Sequence, residues 1–82
     1  MLVTCLFFAV SKQLSGTAQA QFDIPEQIIL SQFISDYLLP KYPQLTSHID
    51  NYLISVNQEY SDRSIVIPPN SEIAIIPPVS GG

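Results

Sequence analysis

Residues 2–10 are apolar at every position but Thr4, a short run rich in Val and Phe that predicts a first β-strand. Ser15-Gly16-Thr17 then supplies turn chemistry. Over residues 18–24, Ala18, Ala20, Phe22 and Ile24 alternate with Gln19, Gln21 and Asp23. That is the period of a half-buried second strand, expected to form a hairpin with the first and closed by Pro25. The period then lengthens. Leu30, Phe33, Ile34, Tyr37 and Leu38 recur at helical spacing and predict a helix over residues 26–39 with one apolar stripe. Acidic Glu26 suits its start, and Pro40 and Pro43 are expected to end it. Residues 52–56 predict a third strand, Asn57-Gln58 a turn and residues 59–61 a short fourth strand. A second turn at Pro68-Pro69-Asn70-Ser71 leads into the last strand, residues 73–76. The order β-β-α-β-β-β offers one helix to cover one sheet, which is an α+β architecture. Residues 65–69 and 73–78 look alike, but at a spacing too short for a repeat fold.

A sheet covered by one helix keeps one wet face, and that face should carry polar residues. The first strand departs from this. One set of alternate residues is Val3, Cys5, Phe7 and Ala9; the other is Leu2, Thr4, Leu6, Phe8 and Val10, marked as the outer set by Thr4. In the last strand Ile73 and Ile75 form one set, while Ala74 and Ile76 share the set that contains Glu72. Leu6, Phe8, Ala74 and Ile76 are therefore expected on the outer face, as one patch if the two strands are neighbours. Such a patch marks a partner interface, unless a loop covers it or the register slips by one residue.

The chain has 82 residues, 46% of them hydrophobic, enough for one domain with a core. A net charge of −4 with only three cations, Lys12, Lys41 and Arg63, argues against nucleic acid and leaves basic protein surfaces as partners. The single cysteine, Cys5, permits no internal disulfide, fits a reducing, cytoplasmic setting and reads as core packing. His48, far from Cys5 in sequence, reads as surface, and no metal-ligand spacing is present. The apolar start followed by Ala18-Gln19-Ala20 also has the outline of a signal peptide. Against that, no Lys or Arg precedes the run, and seven residues from Ser11 to Thr17 make a long cleavage region. The run is also too short to cross a bilayer as a helix, so no membrane partner is expected.

The sequence closes on Gly81-Gly82, carried by Pro77-Pro78-Val79-Ser80. Two glycines form a tip without side chains, able to enter a narrow active site and present its α-carboxylate. The same dipeptide also suits an idle tail.

Longer matches bear on that choice. Val3-Thr4-Cys5-Leu6-Phe7-Phe8-Ala9, Leu14-Ser15-Gly16, Val56-Asn57-Gln58-Glu59-Tyr60 and the ending from Glu72 to Gly82 resemble the ubiquitin-like sulfur-carrier family that includes the small subunit of molybdopterin synthase. The resemblance spans the whole chain, and the Asn-Gln-Glu turn and Pro-Pro-Val-Ser-Gly-Gly tail are its specific parts. It implies a β-grasp fold, a mixed sheet covered by one main helix, with a body over residues 1–76 and a flexible tail over residues 77–82. It further implies that a ubiquitin-activating-type enzyme uses ATP to adenylate Gly82, whose carboxylate becomes a thiocarboxylate. Pro77, Pro78, Val79, Ser80 and Gly81 then carry it into a large catalytic subunit, in a heterotetramer of two small and two large chains. There it donates sulfur to cyclic pyranopterin monophosphate for the molybdenum cofactor. On this resemblance the small chain is expected to act as a sulfurtransferase subunit with no acid or base and no bound cofactor of its own. A ubiquitin-like protein modifier, a sulfur carrier for thiazole or tRNA thiolation, or a binding module with an inert tail are the alternatives. Three departures stand out. Asn70-Ser71 replaces the family's Gly-Asp, Pro40 sits at the helix end, and residues 61–67 match poorly, which puts the fourth strand and its loop in doubt.

Overall fold

A computed structural model describes residues 1–78. Five strands form one mixed sheet in the order β2-β1-β5-β3-β4, where β1 is Leu2–Phe7, β2 Gln19–Asp23, β3 Leu53–Val56, β4 Glu59–Tyr60 and β5 Glu72–Ile76. β1 runs antiparallel to β2 and parallel to β5, and β3 is antiparallel to both β5 and β4. The last strand in sequence is thus the central strand in space.

The first apolar run divides where the sequence suggests continuity. β1 stops at Phe7, and a short helix, α1 (Val10–Ser15), fills the link to β2. The two strands pair as expected, but through a helix and not a simple hairpin. The only buried residue of α1 is Ser11, so no apolar stripe announces the helix. Gly16 ends it in the left-handed conformation, φ 78°, with its N–H donating to the Lys12 carbonyl. Ala9, before α1, has φ 51° and ψ −129°, a region disfavoured for any residue with a Cβ. Such strain costs about 1–3 kcal/mol, partly offset for glycine by its greater unfolded entropy. Ala9→Gly is expected to raise the melting temperature by about 5 °C. An unchanged or lower calorimetric midpoint would show the corner to be unstrained.

The main helix begins later and ends later than the periodicity suggests. It runs over residues 30–41 as α2 (Leu30–Phe33), a wider π-helical stretch (Ile34–Leu38) and α3 (Leu39–Lys41). The predicted stripe does face the sheet: Leu30, Phe33, Ile34 and Leu38 are buried, and Tyr37 half-buried. Each fully buried side chain of this size stabilises by about 1.5–3 kcal/mol. Pro40 does not stop the helix. In an α-helix its ring would meet the carbonyl four residues back; here Leu39 N–H reaches the carbonyl of Ile34, five back, and the widened turn makes room. At the helix start Gln32 Oε1 accepts from the Ile29 N–H at 3.4 Å, but no side chain among the described residues serves the N–H groups of Leu30 and Ser31. Instead the carbonyls of Ile65 and Arg63 accept from the N–H groups of Leu30 and Ser31 at 2.9 and 2.8 Å. The poorly matching residues 61–67 are therefore a strap over the helix start. Arg63 anchors it by donating to the carbonyls of Ile49 and Tyr52 at 2.6 and 3.0 Å.

The core lies between the helix and the inner sheet face, where Val3, Cys5, Phe7, Phe22, Ile54, Val56, Ile73 and Ile75 meet the helical stripe. Phe22 packs edge-on against Phe33, with ring centroids 5.1 Å apart. Both expected turns form, on left-handed residues: Asn57 and Gln58 have φ of 53° and 71°, and Asn70 has 59°. Among the described residues, no helix is long and apolar enough to cross a membrane.

Candidate functional site

The outer sheet face follows from strand register. Leu6 stands opposite Ala74, Ala74 opposite Ser55, Ser55 opposite Tyr60, and Leu53 opposite Ile76. Paired residues share a face, so Leu6, Ala74, Ile76, Leu53 and Tyr60 all lie away from the helix. Phe8, one step past β1, continues the same side. The four residues expected to form a patch do come together. Leu6, Phe8, Ala74 and Ile76 line one open groove of about 370 Å³, with Ser55, Gln58, Tyr60 and Glu72 completing its walls.

Their exposures differ in a way that suits a docking surface. Phe8 is 47% exposed and Tyr60 70%, while Ala74 is 6% exposed and forms the floor between them. Leu6 and Ile76 are half-buried. Leu53, also half in solvent, extends the apolar strip past Ile76. The sequence alone does not mark Leu53 and Tyr60 as part of this patch. The same alternation through β3 and β4 would have placed them on this face had the strand neighbours been known. Among the described residues, the outer face carries Glu72 and Asp23 but no lysine or arginine, since Lys12, Lys41 and Arg63 belong to α1, α3 and the strap.

Asn57 secures one end of the central strand. Its N–H donates to the Glu72 carbonyl at 2.8 Å, its Oδ1 accepts from the Glu72 N–H at 3.0 Å, and its Nδ2 donates to Ser71 Oγ at 3.3 Å. At the other end β5 finishes with Ile76 in the groove, followed by buried Pro77 and exposed Pro78. The root of the stalk therefore leaves from the apolar groove, with its first proline packed on the body. Val79, Ser80, Gly81 and Gly82, expected to complete the stalk and reactive tip, lie outside the described residues.

Other candidate chemistry recedes. Cys5 is fully buried, and burial pushes its thiol up to about 12, which keeps it protonated and unreactive near neutral pH. His48 is exposed, stacks near Tyr52 and does not line the groove. No group of three or more metal-ligating side chains occurs among the described residues.

The sequence matches the ThiS family over residues 5–82. It is 43% identical over 79 residues to the molybdopterin synthase sulfur carrier subunit of Dictyostelium discoideum, covering 94% of this chain and 92% of that one. In three dimensions it is similar to SAMP1 from Haloferax volcanii, with a TM-score of 0.89, 22% identity and full coverage of both chains. It also matches a chain in a complex of subunits 1 and 2 of molybdopterin-converting factor from Helicobacter pylori, with a TM-score of 0.71, 19% identity and full coverage of both. The mixed five-stranded sheet under one main helix is the ubiquitin-like β-grasp fold these structures share.

Proposed function

This chain belongs to the ThiS family, and from that premise we propose that it is the sulfur-carrier subunit of a molybdopterin synthase. The observation that carries the reading is the departure of Pro77-Pro78, the root of a stalk that leads in sequence to Gly81-Gly82, from an apolar groove suited to docking. Relatives named as sulfur carrier subunits of that enzyme, matching nearly end to end, support it. The two-subunit complex from Helicobacter pylori supports a large subunit as the partner.

The chemistry follows from the terminus. A carboxylate is a poor electrophile. An activating enzyme of the ubiquitin-activating type joins the Gly82 carboxylate to AMP, with pyrophosphate leaving from ATP, and the acyl-adenylate then has a good leaving group. A sulfur nucleophile displaces AMP and leaves a thiocarboxylate. In the large subunit this sulfur passes to cyclic pyranopterin monophosphate, and two carriers supply the two sulfurs of one dithiolene. Gly81 lets the backbone pass where a Cβ would clash, Val79 and Ser80 line the entry, and the two prolines lower the entropy lost on insertion. Acids, bases and phosphate-binding groups come from the large subunit, and the working assembly is two small and two large chains in the cytoplasm. ATP is the activating enzyme's substrate, and this chain binds no cofactor.

Intact mass spectrometry tests the reading. After incubation with activating enzyme, ATP and a sulfur donor, the whole chain is expected to gain the mass difference between sulfur and oxygen at its terminus. A covalent adduct to another protein would identify a protein modifier instead, and an unchanged mass an inert tail.

A further inference from the structure

Ser11 is fully buried, yet neither backbone carbonyl it serves needs it. Its Oγ lies 2.6 Å from the Phe8 carbonyl oxygen and 3.2 Å from that of Ile75. The Phe8 carbonyl already accepts from the Ser11 N–H at 3.0 Å, and the Ile75 carbonyl from the Phe8 N–H at 3.2 Å. Alanine would fill the same small site and leave no buried acceptor unpaired. The single hydroxyl proton, shared between the two carbonyls and closer to that of Phe8, ties the chain just past β1 to the end of β5, across a corner whose middle residue, Ala9, sits in a disfavoured backbone region. On one side of that tie is Phe8, a half-exposed aromatic of the groove; on the other is Ile75, directly before Ile76 and the stalk.

We infer that Ser11 is a positioning residue for the docking face, fixing Phe8 beside the point where the tail leaves β5. The inference rests on the reading of the groove as the surface that meets the large subunit. Ser11 touches no partner; it acts through the Phe8 backbone, which sets where the ring stands. A large aromatic anchor contributes its full binding energy only when it is held in place beforehand.

A double-mutant cycle on the full chain tests it, with binding to the large synthase subunit measured by calorimetry at a temperature where circular dichroism shows each variant folded. Ser11→Ala is expected to bind about fivefold more weakly, the size of one hydrogen bond's net effect. Phe8→Ala is expected to lose about thirtyfold or more. In the Phe8→Ala background, Ser11→Ala should cost nothing further, because no ring remains to be placed. Unchanged binding by Ser11→Ala, or a loss that adds in full to that of Phe8→Ala, would overturn the inference. So would unfolding of Ser11→Ala at the assay temperature, which would make the hydroxyl purely structural. Wild-type binding by Phe8→Ala would instead remove the docking reading itself.

Discussion

Deleting Gly82 is expected to abolish sulfur transfer, by at least about a thousandfold, while leaving the melting temperature and the affinity for the large subunit near those of the intact chain. The truncated chain still ends in a glycine carboxylate, but one residue, about 3.5 Å, short. A misplacement of about 1 Å at a reacting centre can already cost about a hundredfold, so a whole residue leaves the acyl carbon out of reach of both the activating enzyme and the pterin site. Stability is spared because the sheet and core are complete by Ile76, with Pro77 packed behind it. Two assays decide the matter: thiocarboxylate formation by mass, and dithiolene formation with the large subunit. If the shortened chain retained a tenth of the activity, the last carboxylate would not be the sulfur-bearing group.

The second large effect lies on the groove. Ile76→Asp and Phe8→Asp are each expected to abolish association with the large subunit, weakening it by about a thousandfold, in a monomer that still folds. A carboxylate there loses the apolar contact and is desolvated without a partner when the face is covered. The two costs together reach several kcal/mol. The free chain tolerates the change better because both side chains reach solvent, Phe8 at 47% exposure and Ile76 half-buried. Analytical ultracentrifugation of the mixture, with circular dichroism of the variant alone, separates the outcomes. Loss of the fold would place these side chains in the core and contradict the register that sets Leu6 against Ala74 and Leu53 against Ile76.

The groove was legible in the sequence for a simple reason. Side-chain parity along a strand survives errors in where the strand ends. The first apolar run extends three residues beyond β1, yet Leu6 and Phe8 keep their face, and Thr4 and Glu72 mark it. What stayed hidden had no hydrophobic period to reveal it. α1 buries a serine in place of an apolar stripe, and its one signal is Gly16 following Lys12 in the last turn. Glu26 suits a first turn and so suggests a helix start four residues early, whereas residues 25–29 form a link that turns at Glu26-Gln27, where Gln27 has φ 63°. Proline breaks an α-helix, so Pro40 suggests a stop; the π-helical stretch before it, which buries Ile34 and Leu38 in the core, has no mark in the sequence period. The strap over residues 61–67 makes one isolated bridge, Ile29 to Val66, so it carries no strand pattern. Ser11, for its part, could not be assigned a role before the end of β1 and the end of β5 were known to be adjacent.

The central place of β5 also has a mechanical meaning. Tension applied beyond Pro78 enters the strand at its C-terminal end and runs along its axis. β1 and β3 flank it, so ladders on both sides are loaded in shear together and no single hydrogen bond can be peeled first. On the proposed role, an arm drawn into one enzyme and then released to another would thereby be anchored along the most force-resistant direction of the strand.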